Sequence, residues 1–103
     1  MKPCKIAPLF NFISRKWTLN ILKHLSDNGT KRFNELLLEI KGINPRILSS
    51  RLKDLEELGL IFKTKFNETP PRVDYSISNS GVDLVSNFKN LDKWMSKWNI
   101  DLK

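Results

Sequence analysis

Four side chains between residues 46 and 53 combine positive charge with hydroxyl groups at a helical spacing. They are Arg46, Ser49, Ser50 and Lys53. At about 100° per residue, these positions fall on or near one side of an α-helix. The other side carries Leu48, Leu52, Leu55 and Leu58. Guanidinium, ammonium and hydroxyl groups donate hydrogen bonds to phosphate oxygens and to base edges. The pattern is therefore typical of a helix that packs by one side and reads DNA by the other.

The ends of this helix are also encoded locally. Asn44 is a favourable N-cap, and Pro45 suits the first helical position, where its missing N–H costs nothing. Gly59 marks the end. These signals predict a recognition helix over about 45–58.

A shorter helix is predicted just before it, from Phe33, Leu36, Leu37 and Ile40. The loop from residue 41 to 44 is short, so the two helices must pack against each other. This arrangement is a helix-turn-helix in which the second helix enters the major groove. Asn34, near the start of the first of these helices, is a candidate phosphate contact at a positive helix end.

Two further helices are predicted towards the N-terminus. The first contains Ile6, Leu9, Phe10 and Ile13, with Pro8 in its first turn. Ser14 is the predicted cap of the second, which contains Trp17, Ile21, Leu22 and Leu25. Residues 26–29 form a turn, and residues 30–32 are brief and extended.

After the recognition helix, residues 60–66 and 73–78 have the composition of strands and predict a hairpin. Pro70 and Pro71 stiffen the connection, which should project as a wing over about 66–72. Lys63, Lys65 and Arg72 are the candidate contacts to the DNA backbone. The alternative is an edge hairpin whose lysines prevent aggregation.

The last predicted helix begins after Ser78, a plausible N-cap. Its apolar residues alternate at separations of four and three, the spacing of a coiled-coil seam: Leu84, Phe88, Leu91, Met95, Trp98 and Leu102. Such a stripe either folds back on its own domain or pairs with another copy. We expect a symmetric homodimer, which would bind a palindromic operator.

Length and composition bound the fold class. The 103 residues, 40% of them hydrophobic, fit a single domain over 1–103. We expect a mainly α fold with a small β-hairpin (α+β), a winged helix-turn-helix whose C-terminal helix forms a dimer. The formal charge of +7 suits a polyanionic partner, although residues 33–62 hold more acidic than basic groups. Without a run of about 20 apolar residues or a secretory signal, the default is a cytoplasmic protein with no membrane partner.

Catalysis has little support in the sequence. The single histidine, His24, has no cysteine or acidic partner at metal-ligand spacing, and a surface or packing role fits it best. Neither a phosphate-binding glycine loop nor a nucleophile motif is present. We expect no enzyme activity, no metal and no cofactor.

The order of the motifs resembles that of the HxlR-type transcriptional regulators, a branch of the MarR-like winged-helix proteins. The matching segments include 16–19, 32–36, 42–46 and 71–78. The resemblance implies a homodimeric DNA-binding regulator whose recognition helix enters the major groove and whose wing touches the flanking backbone. It also implies a winged helix-turn-helix with N- and C-terminal dimerisation helices.

Cys4 is the only thiol, so a disulfide within one chain is impossible. An inert, partly buried cysteine is one interpretation. The resemblance implies the other, because relatives use a cysteine at this place to sense oxidants or electrophiles. Lys2 and Lys5 would favour the thiolate.

Alternatives to a sequence-specific regulator are a winged-helix protein-interaction module and a nonspecific architectural DNA binder. Arg51 could equally contact DNA or brace the domain by an ion pair. The secondary candidates for DNA contact are Arg15, Lys16, Lys31 and Arg32.

Overall fold

The computed structural model describes residues 6–102. Their helices and strands follow in the order α1 (Ile6–Ile13), α2 (Thr18–Asn28), β1 (Lys31–Arg32), α3 (Phe33–Glu39), α4 (Pro45–Glu57), β2 (Ile61–Phe66), β3 (Arg72–Ile77) and α5 (Asn79–Lys97). The sheet is antiparallel, with strand order β1-β3-β2. The predicted α+β fold is confirmed, and the sheet gains a third strand because Lys31 pairs with Tyr75.

The first helix forms as predicted, but the predicted cap of α2 is wrong. Pro8 lies in the first turn of α1. The Ser14 hydroxyl donates to the carbonyl of Asn11 at 3.1 Å and therefore closes α1. The N-cap of α2 is Trp17, which has a left-handed backbone (φ 81°). Residues 14–17 form a tight turn, which places Ser14 too early in the chain to cap α2.

The boundaries of α4 follow the predicted signals. The Asn44 Oδ1 accepts a hydrogen bond from the Ile47 N–H at 2.8 Å, and Pro45 is the first helical residue. Gly59 ends the helix with φ +74°. Leu58 was predicted on the packing side, but it is 56% exposed because it follows the last helical residue.

The core lies between α2, α3, α4 and the start of the sheet. Its side chains without solvent exposure are Ile21, Leu22, Leu25, Leu36, Leu48 and Leu55. Leu52 and Ile61 complete it at 2% exposure or less. Because α4 contributes three of these leucines, its opposite side must face outwards.

The predicted hairpin is confirmed. Strands β2 and β3 pair from Ile61 opposite Ile77 to Phe66 opposite Arg72. Residues 67–71 connect them at the tip. The wing is therefore a projection of the same sheet that packs on α4.

The last helix begins as predicted, with the Ser78 Oγ accepting from the Gly81 N–H at 3.1 Å. Gly81 lies so close to the Leu60 carbonyl that a Cβ would be 2.4 Å from the oxygen. Val85 is buried against the domain, whereas the second half of α5 is largely exposed. Leu102 lies beyond the helix, which ends at Lys97, so the predicted seam stops before it.

None of the helices in the described range is long and apolar enough to cross a membrane.

Candidate nucleic-acid interface

The four side chains predicted to read DNA lie together on the exposed side of α4. Arg46, Ser49, Ser50 and Lys53 are all exposed, and we call these four residues the reading surface. Neither Arg46 nor Lys53 forms an ion pair with any residue between 6 and 102. Their donors are therefore available for an external acceptor.

The β2 lysines continue this surface into the wing. Lys63 and Lys65 are exposed and lie on the strand face that carries Ile61. Lys63 lines a cavity of about 220 Å³ between α4 and the sheet. The other residues around this cavity include Ser49, Lys53, Glu56 and Tyr75. The reading surface and the wing strand thus meet at one concave, mainly cationic surface.

Tyr75 forms the floor of that cavity. Burial raises the pKa of its hydroxyl, and the negative charge of Glu56 raises it further. The phenol therefore remains protonated at neutral pH and adds no negative charge beneath Lys63.

Arg72 differs from the two lysines, because contacts within the wing hold its side chain. Its guanidinium carbon lies 4.1 Å from the centre of the Phe66 ring. Its Nε is 3.3 Å from Asp74 Oδ1, and its Nη1 is 3.6 Å from Glu68 Oε1. These two carboxylates balance the charge of Arg72, which stabilises the wing.

Asn34 lies beside the connection at the tip of the wing. It is exposed on α3 and lines a cavity of about 420 Å³ together with Pro70, Pro71 and Arg72. This placement puts Asn34 beside the wing connection, apart from the reading surface.

Three of the four secondary candidates, Arg15, Lys31 and Arg32, form ion pairs within the protein. Lys31 lies 3.2 Å from Glu39, and Arg32 lies 4.0 Å from Asp74. Arg15 lies 3.0 Å from Asp54. Arg51 donates from Nε to the Lys16 carbonyl at 2.8 Å, which agrees with its interpretation as a brace.

His24 takes part in a surface network. Its Nε2 is 2.7 Å from Glu39 Oε1, and its Nδ1 is 3.3 Å from the amide of Asn28. The hydrogen bond from His24 lowers the pKa of Glu39, with a further contribution from Lys31. Within residues 6–102, no group of three His, Cys, Asp or Glu side chains could hold a metal ion. The candidate sensor Cys4 lies outside the described residues.

A second surface is apolar and exposed. Of the predicted seam, Leu84, Phe88 and Met95 are half-buried. Leu91 is 50% and Trp98 60% exposed, and Leu102 beyond the helix is 78% exposed. Trp94 on α5 and two α1 residues, Ile6 and Phe10, are also half or more exposed.

Two residues that organise the interface are absent from the predicted set. Asp54 joins Arg15 and Arg51, but 39 residues separate it from Arg15, so no local pattern reveals the contact. Glu68 pairs with Arg72 across the non-helical wing connection, so helical spacing does not reveal this contact either.

Comparison with known proteins places this geometry in a family. The family model for HxlR-like helix-turn-helix proteins matches residues 12–102. The HTH-type transcriptional regulator YvaP of Bacillus subtilis, itself uncharacterized, is 31% identical over 102 residues, with 95% of this chain and 94% of YvaP covered.

Two solved structures resemble the fold over most of the chain. A MarR-family transcriptional regulator from Enterococcus faecalis V583 superposes with a TM-score of 0.83 at 33% identity, covering 96% of this chain and 92% of its own. The reduced form of the transcriptional regulator YodB from B. subtilis superposes with a TM-score of 0.81 at 29% identity, covering 94% of each chain. YodB has also been solved after diamide treatment. The chain is a transcriptional regulator of helix-turn-helix type with a winged-helix fold, and it belongs to the HxlR-like helix-turn-helix family.

Proposed function

We propose that the protein acts as a homodimer that binds a palindromic DNA operator in a sequence-specific manner. In this proposal α4 enters the major groove and the wing over about 66–72 lies along the flanking backbone. The observation that carries the proposal is the reading surface, four exposed hydrogen-bond donors opposite three buried leucines of the same helix. An interaction module would more often expose aromatic or apolar anchors there.

Groove geometry supports the assignment of roles. The major groove of B-DNA is about 12 Å wide and admits one helix, whose side chains can then reach base edges. In the proposal, Arg46 donates two hydrogen bonds to a guanine, and Lys53 donates to a guanine or a phosphate. The serine hydroxyls can donate to bases or to the DNA backbone, and Asn34 beside the wing connection can donate to a phosphate.

The exposed apolar residues of α1 and α5 support the homodimer. Two copies related by a twofold axis would present two α4 helices to one side of a duplex, with half-sites about 10 bp or a multiple apart. Full coverage of the apolar surface would also remove Trp94 and Trp98 from water.

Selection of duplexes from a random DNA library tests the proposal. Wild-type protein should return a palindrome, and the selected duplex should bind at least about 1,000-fold more tightly than a scrambled one at the same salt concentration. Binding to every duplex alike would indicate an architectural binder. Recovery of no duplex would indicate a protein-interaction module.

The wing lysines should supply affinity that is independent of sequence. For Lys63→Gln/Lys65→Gln, we expect the slope of log affinity against log salt to become shallower by about two units, because each lost phosphate contact releases about one counterion fewer. Fluorescence anisotropy between 50 and 300 mM salt, as a rough working range, measures the slope. Lys93→Gln on α5 is the control with the same chemical change. A slope identical to that of wild type would exclude the wing from the interface.

A second proposal concerns Cys4, and it is supported by the family and by the solved reduced and diamide-treated forms of YodB. Diamide oxidises two thiols to a disulfide and is itself reduced to the hydrazine. Because the chain has one cysteine, the new disulfide must join two protomers, or one protomer and a small thiol. We expect diamide to change the operator affinity of wild type and to leave the operator affinity of Cys4→Ser unchanged. Equal responses of the two proteins would exclude Cys4 as the sensor.

A further inference from the structure

Three consecutive residues between α1 and α2 hold α4 and the turn that precedes it. The Nη1 of Arg15 is 3.0 Å from Asp54 Oδ2, and the Lys16 carbonyl accepts from Arg51 Nε at 2.8 Å. The ring of Trp17 lies against Gly42, where a Cβ would be 3.3 Å from it. We call residues 15–17 the bracing turn.

The residues that the bracing turn holds occupy the flank of α4. At about 100° per residue, Arg51 and Asp54 lie between the buried leucines and the reading surface. Arg51 is also 3.8 Å from Asp54, so one carboxylate contacts both arginines. The side chains of Arg51 and Asp54 are only 21% and 23% exposed, which shields their pairing from solvent.

These polar contacts add something that the leucines cannot supply. Burial of Leu48, Leu52 and Leu55 holds α4 against the core, but apolar attraction has no preferred direction. Hydrogen bonds weaken steeply when their geometry changes. The leucines set the rotation of α4 about its own axis only to within the width of the apolar stripe, and the contacts of Arg15 and Arg51 therefore narrow it further.

The backbone of the bracing turn is itself constrained. Trp17 has φ 81°, a conformation that is uncommon for a residue other than glycine. Such a conformation persists only where the surroundings enforce it. Contact with Gly42 connects it to the turn between α3 and α4, so the bracing turn is fixed relative to the whole helix-turn-helix.

We propose that Arg15, Arg51 and Asp54 are positioning residues, which set the DNA sequence preference through the rotation of α4 and do not contact DNA. The inference rests on the proposed DNA-binding function. In this inference the role of Arg15 is its ion pair with Asp54, whereas a basic side chain near DNA would ordinarily be expected to bind a phosphate.

Asp54→Asn separates the electrostatic effect of the lost charge from the positioning effect, because the two change the affinity for the operator in opposite directions. Removal of a negative charge from α4 favours binding to any duplex by electrostatics alone. The positioning role instead predicts a loss of affinity for the selected operator of about 3- to 30-fold, and a fall in the ratio of specific to nonspecific affinity. Both affinities are measured by anisotropy at one salt concentration.

Glu57→Gln is the matched control. It removes the same charge from the same helix, and Glu57 is exposed and forms no ion pair with a residue in the described part of the chain. We expect Glu57→Gln to keep or raise the affinity for both duplexes.

Arg15→Gln and Arg15→Lys supply an independent test, because Arg15 is half exposed and its loss should leave the fold intact. Circular dichroism melting checks this for each variant. Arg15→Gln should lower the affinity ratio with an unchanged salt slope, and Arg15→Lys should restore part of the ratio.

A slope shallower by about one unit would make Arg15 a phosphate contact and overturn the inference. An unchanged affinity ratio in Asp54→Asn would also overturn the inference. If Asp54→Asn does not fold, an unchanged ratio in Arg15→Gln would overturn it instead. Absence of any sequence preference in wild type would instead overturn the proposed function.

Discussion

Arg46→Ala is expected to weaken binding of the selected operator by about 1 to 3 kcal/mol, which corresponds to roughly 5- to 150-fold in affinity. The physical reason is that a guanidinium can donate two parallel hydrogen bonds to the O6 and N7 atoms of one guanine. Arg46 is exposed in the first turn of α4 and has no ion pair with any residue from 6 to 102. Nothing within that range therefore competes for its donors.

Titration of operator variants that change one base pair at a time identifies the base that Arg46 reads. Wild type should discriminate at that position, and Arg46→Ala should bind all four variants with similar affinity. Arg46→Lys keeps the charge but removes the fork of donors, so it should lose discrimination and keep the salt slope. Equal discrimination by wild type and Arg46→Ala would assign Arg46 to the backbone or remove it from the interface.

Local capping signals are the reason that the candidate site could be predicted from the sequence. Asn44, Pro45 and Gly59 act on backbone groups within a few residues of themselves, so their effect does not depend on the rest of the fold. Once the ends of α4 are fixed, helical periodicity decides which side chains are buried and which face outwards. Ser78 fixes the start of α5 in the same way.

Contacts between distant segments could not be predicted in this way. The pairing of Arg15 with Asp54 requires the bracing turn to be placed beside α4, which only the packing of the whole domain determines. The left-handed Trp17 is a similar case, because aromatic residues rarely adopt that backbone and local propensity favoured Ser14 as the cap. The pairing of Arg72 with Asp74 could be predicted from the sequence, because the two residues share a face of one strand, whereas its pairing with Glu68 depends on the path of the wing connection.

The last helix shows the limit of periodicity. Its apolar spacing correctly predicted a stripe along the helix, but packing against its own domain accounts only for the first part of that stripe. Val85, near the start, packs on the domain itself, whereas Leu91 and Trp98 remain half or more exposed. Such a patch costs free energy in water unless another surface covers it.

Leu91→Glu is therefore expected to convert the proposed dimer into a monomer. It places a charge at the centre of the exposed stripe, where burial against a second copy would carry a large desolvation penalty. Loss of the dimer removes the effective concentration of the second α4, so affinity for the palindrome should fall by about 100-fold or more. Sedimentation equilibrium gives the mass, and anisotropy with palindromic and half-site duplexes gives the affinities.

Ser86→Glu is the control, because Ser86 is exposed on α5 and helical spacing puts it on a side away from Leu91. It should leave both the mass and the preference for the palindrome unchanged. Leu91→Glu should bind palindromic and half-site duplexes with equal affinity, and its circular dichroism spectrum should match that of wild type, since Leu91 is already 50% exposed in the protomer. A dimeric Leu91→Glu protein that still prefers the palindrome would mean that α5 does not form the interface. The exposed apolar side chains of α1, Ile6 and Phe10, would then be the next candidates for pairing two copies.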